Sequence, residues 1–144
     1  MDNTRTPVLY IVGNYNIDLV MGTLPHWPAQ GTEMMLEHSA LRPGGSAGNC
    51  ALAAAAMQLP HCAVGCQGDD AFTPWLAAQF PGDSARWPQY PCETSLTVAV
   101  THPNKERSFL SNHGHITRLT AGDVLDQLPA AAGEGDIVLL CGTF

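Results

Sequence analysis

The chain has few positively charged residues. It contains 6 lysines and arginines against 13 aspartates and glutamates in 144 residues, which gives a formal net charge of −7. Surfaces that bind nucleic acids or anionic membranes are built from clustered cations. The shortage therefore excludes both from the expected partners.

A long apolar run is also missing. The longest near-apolar stretch, residues 50–57, is far below the roughly 20 residues that a membrane-spanning helix needs. Residues 1–7 are polar, and the apolar stretch after them is too short for the core of a signal peptide. We therefore expect a cytoplasmic protein with no membrane partner.

The cysteines do not form a disulfide framework, because they are odd in number (5) and widely scattered. Cys62 and Cys66 lie in "HCAVGC", a strand pattern that would separate them by roughly 13 Å. His113 and His115 alternate in "SNHGH", but no third ligand accompanies them, and we interpret both as loop histidines. No metal site is expected in this chain.

Apolar strand patterns alternate with helical ones along the chain. The run 8–12 is typical of a strand buried on both faces, and 137–141 is a second strand that we expect to be buried. Residues 96–101 and 107–111 form two β-rich arms around a Pro-Asn turn, which predicts a hairpin. The other predictions are strands at 17–22, 34–41 and 62–66 and helices at 49–59, 73–80 and 120–128.

This alternation indicates an α/β sheet that is at least partly parallel, with the additional β arms forming a separate unit. The chain stops directly after a strand, where an α/β fold would continue into its next helix. We therefore expect it to be the N-terminal part of a larger protein.

The glycine-rich stretch "RPGGSAGN", residues 42–49, opens a helix but matches neither common phosphate-binding pattern. A P-loop requires a Gly-Lys pair, and no lysine lies between Arg42 and Pro60. The dinucleotide-binding fingerprint requires a different glycine spacing after the first strand. A phosphate is therefore not the expected ligand of this loop.

Asn16 and Asp18 introduce an amide and a carboxylate into an otherwise apolar segment. Because they are two residues apart, their side chains project from the same face of an extended chain. Carboxylate, amide and exposed glycine N–H groups together suit the hydroxyls of a polyol. The alternative is that both residues only cap a turn after Gly13.

Together these segments resemble the PfkB, or ribokinase-like, carbohydrate kinases. "PGGSAGNCA" with the later Gly68 is similar to that family's first signature, and "GNYNID" to its Asn-x-Asp segment. "GDDAF" and "ERSFLSNHG" resemble two further family segments. The signature expects Gly or Ser at position 58, where this sequence has Gln58.

The resemblance implies a Rossmann-like α/β core, mainly a parallel sheet flanked by helices, with a small β-sheet lid made of segments about 15–41 and 95–112. Residues 1–144 would form the N-terminal part of one ribokinase-like domain, truncated before its C-terminal nucleotide-binding half. The implied reaction is transfer of the γ-phosphate of ATP, with Mg²⁺, to a hydroxymethyl group of a sugar or nucleoside. By position, the substrate-binding residues would be Asn16, Asp18, Gly44, Gly45 and Asn49.

The family's catalytic base, in a Gly-Ala-Gly-Asp turn that opens a helix, is absent and is expected beyond Phe144. "GEGD", residues 133–136, imitates that turn, but Asp136 leads into a strand; Asp123 is interpreted as an N-terminal helix charge. We expect the chain alone to bind neither ATP nor Mg²⁺ and to be inactive, and the parent protein to be a carbohydrate kinase. The alternative is a non-enzymatic sugar-binding module, or one that forms a homodimer through the exposed strand edges of the lid sheet.

Overall fold

The computed structural model of the chain describes residues 5–142, which form two β-sheets with three α-helices. The strands are β1 (Leu9–Gly13), β2 (Asn16–Thr23), β3 (Ser39–Gly44), β4 (His61–Val64), β5 (Leu96–Thr101), β6 (Arg107–Ser111) and β7 (Ile137–Cys141). The helices are α1 (Ser46–Ala56), α2 (Thr73–Gln79) and α3 (Ala121–Gln127), with short 3₁₀ turns at Ser84–Arg86 and Gly114–Thr117. The mixed α/β architecture expected from the sequence is confirmed. Within residues 5–142, no helix is long and apolar enough to cross a membrane.

The first sheet is parallel and has the strand order β4-β1-β7. Its central strand β1 is buried, with Ile11 fully inaccessible to solvent. Helix α1 packs small side chains, Ala47, Ala51 and Ala54, into the same core as Ile11. The prediction of a buried strand at 8–12 is confirmed to within one residue.

The second sheet is mixed and has the order β3-β2-β5-β6. Strand β2 runs antiparallel to β3 and parallel to β5, and β5 forms an antiparallel hairpin with β6. The two hairpin arms have the bounds predicted from the sequence, because alternating β-rich arms around a Pro-Asn turn specify a hairpin locally. We call this four-stranded unit the second sheet and the β4-β1-β7 unit the first sheet.

An aromatic cluster lies in a core that contains Ile11 of the first sheet and Ile17 of the second. The Tyr15 ring lies 4.9 Å from the ring of Phe80 and 4.7 Å from that of Trp87, centroid to centroid. The Tyr15 hydroxyl donates to the Ile11 carbonyl at 2.6 Å, and the Trp87 indole N–H donates to the Ala63 carbonyl at 2.9 Å. Both polar tips are therefore satisfied inside the core, as buried Tyr and Trp require. Burial also raises the pKa of the Tyr15 hydroxyl.

Helix α1 starts at Ser46, three residues earlier than predicted. The Asn14 side-chain oxygen accepts hydrogen bonds from the Ser46 N–H at 3.2 Å and from the Ser46 hydroxyl at 2.6 Å. Asn14 lies 32 residues upstream of Ser46, so the local sequence pattern of the helix could not predict this contact. The helix also ends earlier, at Ala56, and Gln58 takes a left-handed conformation with φ 57°.

The strand predicted at 34–41 was placed too early. The observed β3, Ser39–Gly44, includes Pro43 and runs into the glycine loop, pairing Asn16 with Gly44 and Met21 with Ser39. Proline tends to be found on edge strands, where its missing N–H costs no ladder bond, and β3 is an edge of its sheet.

Strand β7 forms where predicted, but the expectation that it is buried is wrong. Its side chains are largely exposed, with Ile137 at 60% and Leu140 at 73%. Within residues 5–142, β7 pairs only with β1 and forms an edge of the first sheet. An apolar run therefore predicted the strand correctly but not the covering of its faces.

The interpretation of His115 as a loop histidine is also wrong, since its side chain is fully buried. The Ser95 N–H donates to Nδ1 at 3.0 Å, so the proton lies on Nε2, which donates to the Tyr15 carbonyl at 2.9 Å. Neutral His115 thereby joins the segment before β2 to the segment before β5. Burial lowers its pKa.

Candidate functional site

A cavity of about 820 Å³ lies between the start of α1, the end of β7 and one face of the second sheet. We call this sheet face, formed by alternate residues of β2, β5 and β6, the cavity face. Four of the five candidate binding residues line the cavity: Asn16, Asp18, Gly45 and Asn49. The fifth, Gly44, lies directly behind Asp18.

Asn16 and Asp18 share the cavity face of β2, as the two-residue spacing requires. The Asn16 Nδ2 donates to Asp18 Oδ1 at 3.0 Å and to the Thr97 hydroxyl at 3.3 Å. The Asn16 Oδ1 is buried and has no hydrogen-bond partner within residues 5–142. A buried acceptor of this kind costs free energy unless a donor reaches it, so the cavity is suited to a ligand with hydroxyl groups.

The two glycines leave room for these side chains. A Cβ at Gly44 would overlap the Asp18 carboxylate, and a Cβ at Gly45 would overlap the Asn14 carbonyl and the Asn16 Oδ1. Gly45 also has φ 85°, a left-handed conformation that favours glycine. Both glycines are therefore required by the packing of the site.

The start of α1 is shaped by a side chain that the sequence analysis did not identify. Asn14 lines the cavity and engages the N–H and hydroxyl of Ser46. The first N–H of the helix is thus used inside the protein. Asn49, one turn into α1, is exposed and lines the same cavity.

Burial raises the pKa of the Asp18 carboxyl, and two weaker effects oppose this rise. These are the hydrogen bond from Asn16 and the positive charge of Arg107. Asp18 is therefore a partly desolvated carboxylate that already accepts one hydrogen bond. Such a group gains from further hydroxyl donors.

Thr97 and Ser111 were also missed, and strand register brings them to the site. Asp18 pairs with Thr97 across β2 and β5, and Thr97 pairs with Ser111 across β5 and β6. Their hydroxyls are 2.8 Å apart. The alternation of side chains along the two hairpin arms could have placed Thr97 and Ser111 on one face. It could not have placed them beside Asp18, because β2 and β5 are distant in sequence.

Two aspartates outside the cavity have structural contacts. Asp136 accepts from the Val8 and Gly133 backbone N–H groups at 2.9 and 2.8 Å, and these bonds lower its pKa. Asp123 forms a capping box with Thr120 at the start of α3 and accepts from the Tyr90 hydroxyl at 2.6 Å. Both lie where the sequence analysis placed them, at the start of a strand and in the first turn of a helix.

Within residues 5–142, no group of three or more His, Cys, Asp or Glu side chains could hold a metal ion. The polar side chains that line the cavity are mostly amides and hydroxyls, with one carboxylate (Asp18), one imidazole (His113) and one thiol (Cys141). With a single carboxylate, this set suits an uncharged polyol better than Mg²⁺.

Ribokinases and a nucleoside kinase are among the solved structures that share this fold. A ribokinase from Giardia lamblia aligns with TM-score 0.67 and 23% identity, covering 85% of this chain and 38% of its own. A ribokinase from Arabidopsis thaliana, complexed with ribose and ATP, aligns with TM-score 0.63 and 22% identity over 76% of this chain and 37% of its own. A nucleoside kinase from Methanocaldococcus jannaschii, described as an archaeal member of the ribokinase family, aligns with TM-score 0.66 and 16% identity over 96% of this chain and 45% of its own.

These comparisons establish a ribokinase-like fold and confirm, at the level of the fold, the resemblance found in the sequence. No protein-family model and no curated protein sequence matches the chain. The chain spans about two fifths of the length of the three solved structures.

Proposed function

We propose that this chain is the substrate-binding part of a kinase of the ribokinase family. Its cavity binds a sugar or nucleoside, and the complete protein transfers the γ-phosphate of ATP, with Mg²⁺, to a hydroxymethyl group of that substrate. Because ATP is the phosphate donor, the proposal places the protein in the cytoplasm.

The observation that carries this proposal is the arrangement of Asn16 and Asp18. The residues that carry a buried amide oxygen without a partner in the described chain and a partly buried carboxylate line the same cavity. They lie beside Gly45, which has no Cβ that would overlap the Asn16 side chain. Solved structures of the same fold are ribokinases and a nucleoside kinase, which supports a polyol as the ligand.

The proposal divides the reaction between this chain and the part of the protein expected beyond Phe144. Residues 16, 18, 45 and 49 hold and orient the hydroxyls, and Gly44 leaves room for the Asp18 carboxylate. The catalytic base and the nucleotide site belong to the other part. Phosphoryl transfer depends on positioning and on electrostatic stabilisation of the transferred group. The 144-residue chain alone therefore binds substrate without turnover.

Binding of ribose and adenosine to the 144-residue chain tests the proposal, measured by calorimetry for the wild type and for Asp18→Asn. This substitution keeps the size of the side chain but removes the carboxylate acceptor. We expect affinity to fall at least about tenfold, because a hydrogen bond to a charged group is lost.

Asp126→Asn is the matched control, since Asp126 is an exposed residue of α3 outside the cavity. It should leave binding unchanged. If neither compound binds saturably, or if Asp18→Asn binds both as tightly as the wild type, the proposed site is wrong.

A second candidate function is a homodimer formed through the second sheet. It is favoured by an apolar row on the face of that sheet that points away from the cavity. Strand register there aligns Leu41, Leu19, Val98 and Leu110 in one row across β3, β2, β5 and β6. Leu110, on the edge strand, is 58% exposed. A second copy of the chain would cover this apolar row and the exposed edge of β6.

The oligomeric state tests this candidate. Sedimentation should give a dimer for the wild type and a monomer for Leu110→Lys, because a charge in the row would have to be desolvated on association. Leu125→Lys, on the exposed side of α3, is the control and should leave the dimer intact. A wild-type monomer at all concentrations would contradict the candidate.

A further inference from the structure

The cavity face of the second sheet carries two rows of different chemistry. Asp18, Thr97 and Ser111 form a polar row by strand register. Two residues further along each strand, Val20 pairs with Ala99, and Ala99 pairs with Phe109. The face is therefore polar near Asn16 and apolar one row further from it.

Phe109 ends the apolar row and lines the same cavity as Asp18. Its side chain is 57% exposed, and its cross-strand neighbour Ala99 is small and buried. The Arg107 guanidinium lies 5.7 Å from the centroid of the Phe109 ring. An aromatic ring so exposed at a cavity wall offers a surface on which a planar group can stack.

The spacing of the rows limits what can reach both ends. Two residues along a strand and two strands across a sheet place the Cα atoms of Asp18 and Phe109 about 12 Å apart. A single sugar ring bound by Asp18 is shorter than this distance. A ligand that contacts both residues must therefore extend beyond the sugar with an apolar or planar group.

We propose that Phe109 determines substrate specificity and that the substrate class is a nucleoside. The ribose hydroxyls bind at Asn16 and Asp18, and the base stacks on the Phe109 ring. This inference rests on the proposed function, because it assigns a binding position for the base at the other end of the same cavity.

The test compares adenosine with free ribose on the 144-residue chain. Dissociation constants are measured by calorimetry for the wild type, Phe109→Leu and Phe109→Trp. Stacking on an aromatic side chain should make adenosine bind about tenfold or more tightly than ribose in the wild type. Phe109→Leu should remove this preference and leave ribose binding unchanged, whereas Phe109→Trp should retain the preference.

Phe72→Leu is the matched control, because Phe72 is also exposed, at 43%, but lies outside this cavity. It should bind adenosine as the wild type does. In proton NMR spectra, the base protons of bound adenosine should shift upfield in the wild type and lose that shift in Phe109→Leu.

The outcomes separate this inference from the proposed function. Equal affinities for adenosine and ribose, or an adenosine preference that survives Phe109→Leu, overturn the role of Phe109 and leave the sugar site standing as long as Asp18→Asn weakens binding. Absence of saturable binding by either compound overturns both.

Discussion

The two sheets share the aromatic cluster at Tyr15 but differ in what their side chains do. In the first sheet, the central strand is buried among alanines of α1, and its core residues are apolar. In the second sheet, the cavity face begins with an amide, a carboxylate and two hydroxyls. Burial of apolar surface is the dominant favourable contribution to folding, so we expect stability to depend on the core around β1 and ligand binding on the cavity face of the second sheet.

The largest effect should come from shortening a buried side chain of the first sheet. Ile11→Ala, in β1, should lower the free energy of unfolding by about 3 kcal/mol, because it leaves a cavity in a fully buried site. Urea denaturation measures this change. Ile137→Ala is the same substitution in β7, where the side chain is 60% exposed, and should cost less than about 1 kcal/mol. If the two variants lost the same free energy of unfolding, the predicted difference between buried β1 and exposed β7 would be wrong.

A smaller, pH-dependent effect should come from His115, which joins the segments before β2 and β5 through polar contacts. The ordinary pKa of histidine, 6.5, applies to the unfolded chain, whereas burial lowers the pKa in the folded protein. The unfolded state therefore binds more protons below about pH 6.5, so stability is complete above that pH and falls as the pH drops towards the lowered pKa.

Urea denaturation between pH 7.5 and 5 measures this dependence. His115→Gln removes the titrating group and should flatten the profile, although its stability at pH 7.5 is expected to be lower than that of the wild type. His113→Gln is the control, because His113 is exposed, and should keep the wild-type profile. A wild-type profile that rises as the pH falls from 6.5 to 5 would contradict the prediction.

The smallest effect should come from the connection between α1 and β4. Gln58 has φ 57°, a conformation that costs residues other than glycine about 1 kcal/mol. Gln58→Gly should therefore raise the thermal midpoint by a few degrees. Met57→Gly is the matched control with the opposite sign, because Met57 is in the right-handed helical region with φ −84°. A lower midpoint for Gln58→Gly would contradict this account.

Local patterns were sufficient for much of the first sheet and for the hairpin. Alternation and turn residues specify β5 and β6 because the arms pair with each other across a short turn. The spacing of Asn16 and Asp18 specifies a common face because side chains alternate along a strand. Neither inference needs knowledge of distant contacts.

The remaining features depend on contacts between distant segments. The start of α1 depends on Asn14, the burial of His115 on Tyr15 and Ser95, and the position of Thr97 beside Asp18 on the parallel pairing of β2 with β5. The exposure of β7 depends on which elements cover the sheet, and an apolar sequence does not specify this. For these reasons the candidate site was predicted on β2 and in the glycine loop but missed on β5 and β6.

The contacts of His115 with Tyr15 and Ser95 affect the order in which parts of the chain fold. Contacts between residues far apart in sequence form late, because a long loop must close first. Strands β2 and β3 can pair early, but β5 joins them only after residue 96 is available. His115 lies further along the chain, so its contacts with Tyr15 and Ser95 form later still. During synthesis, the cavity wall should therefore be completed only after the core around β1 and β4 has formed.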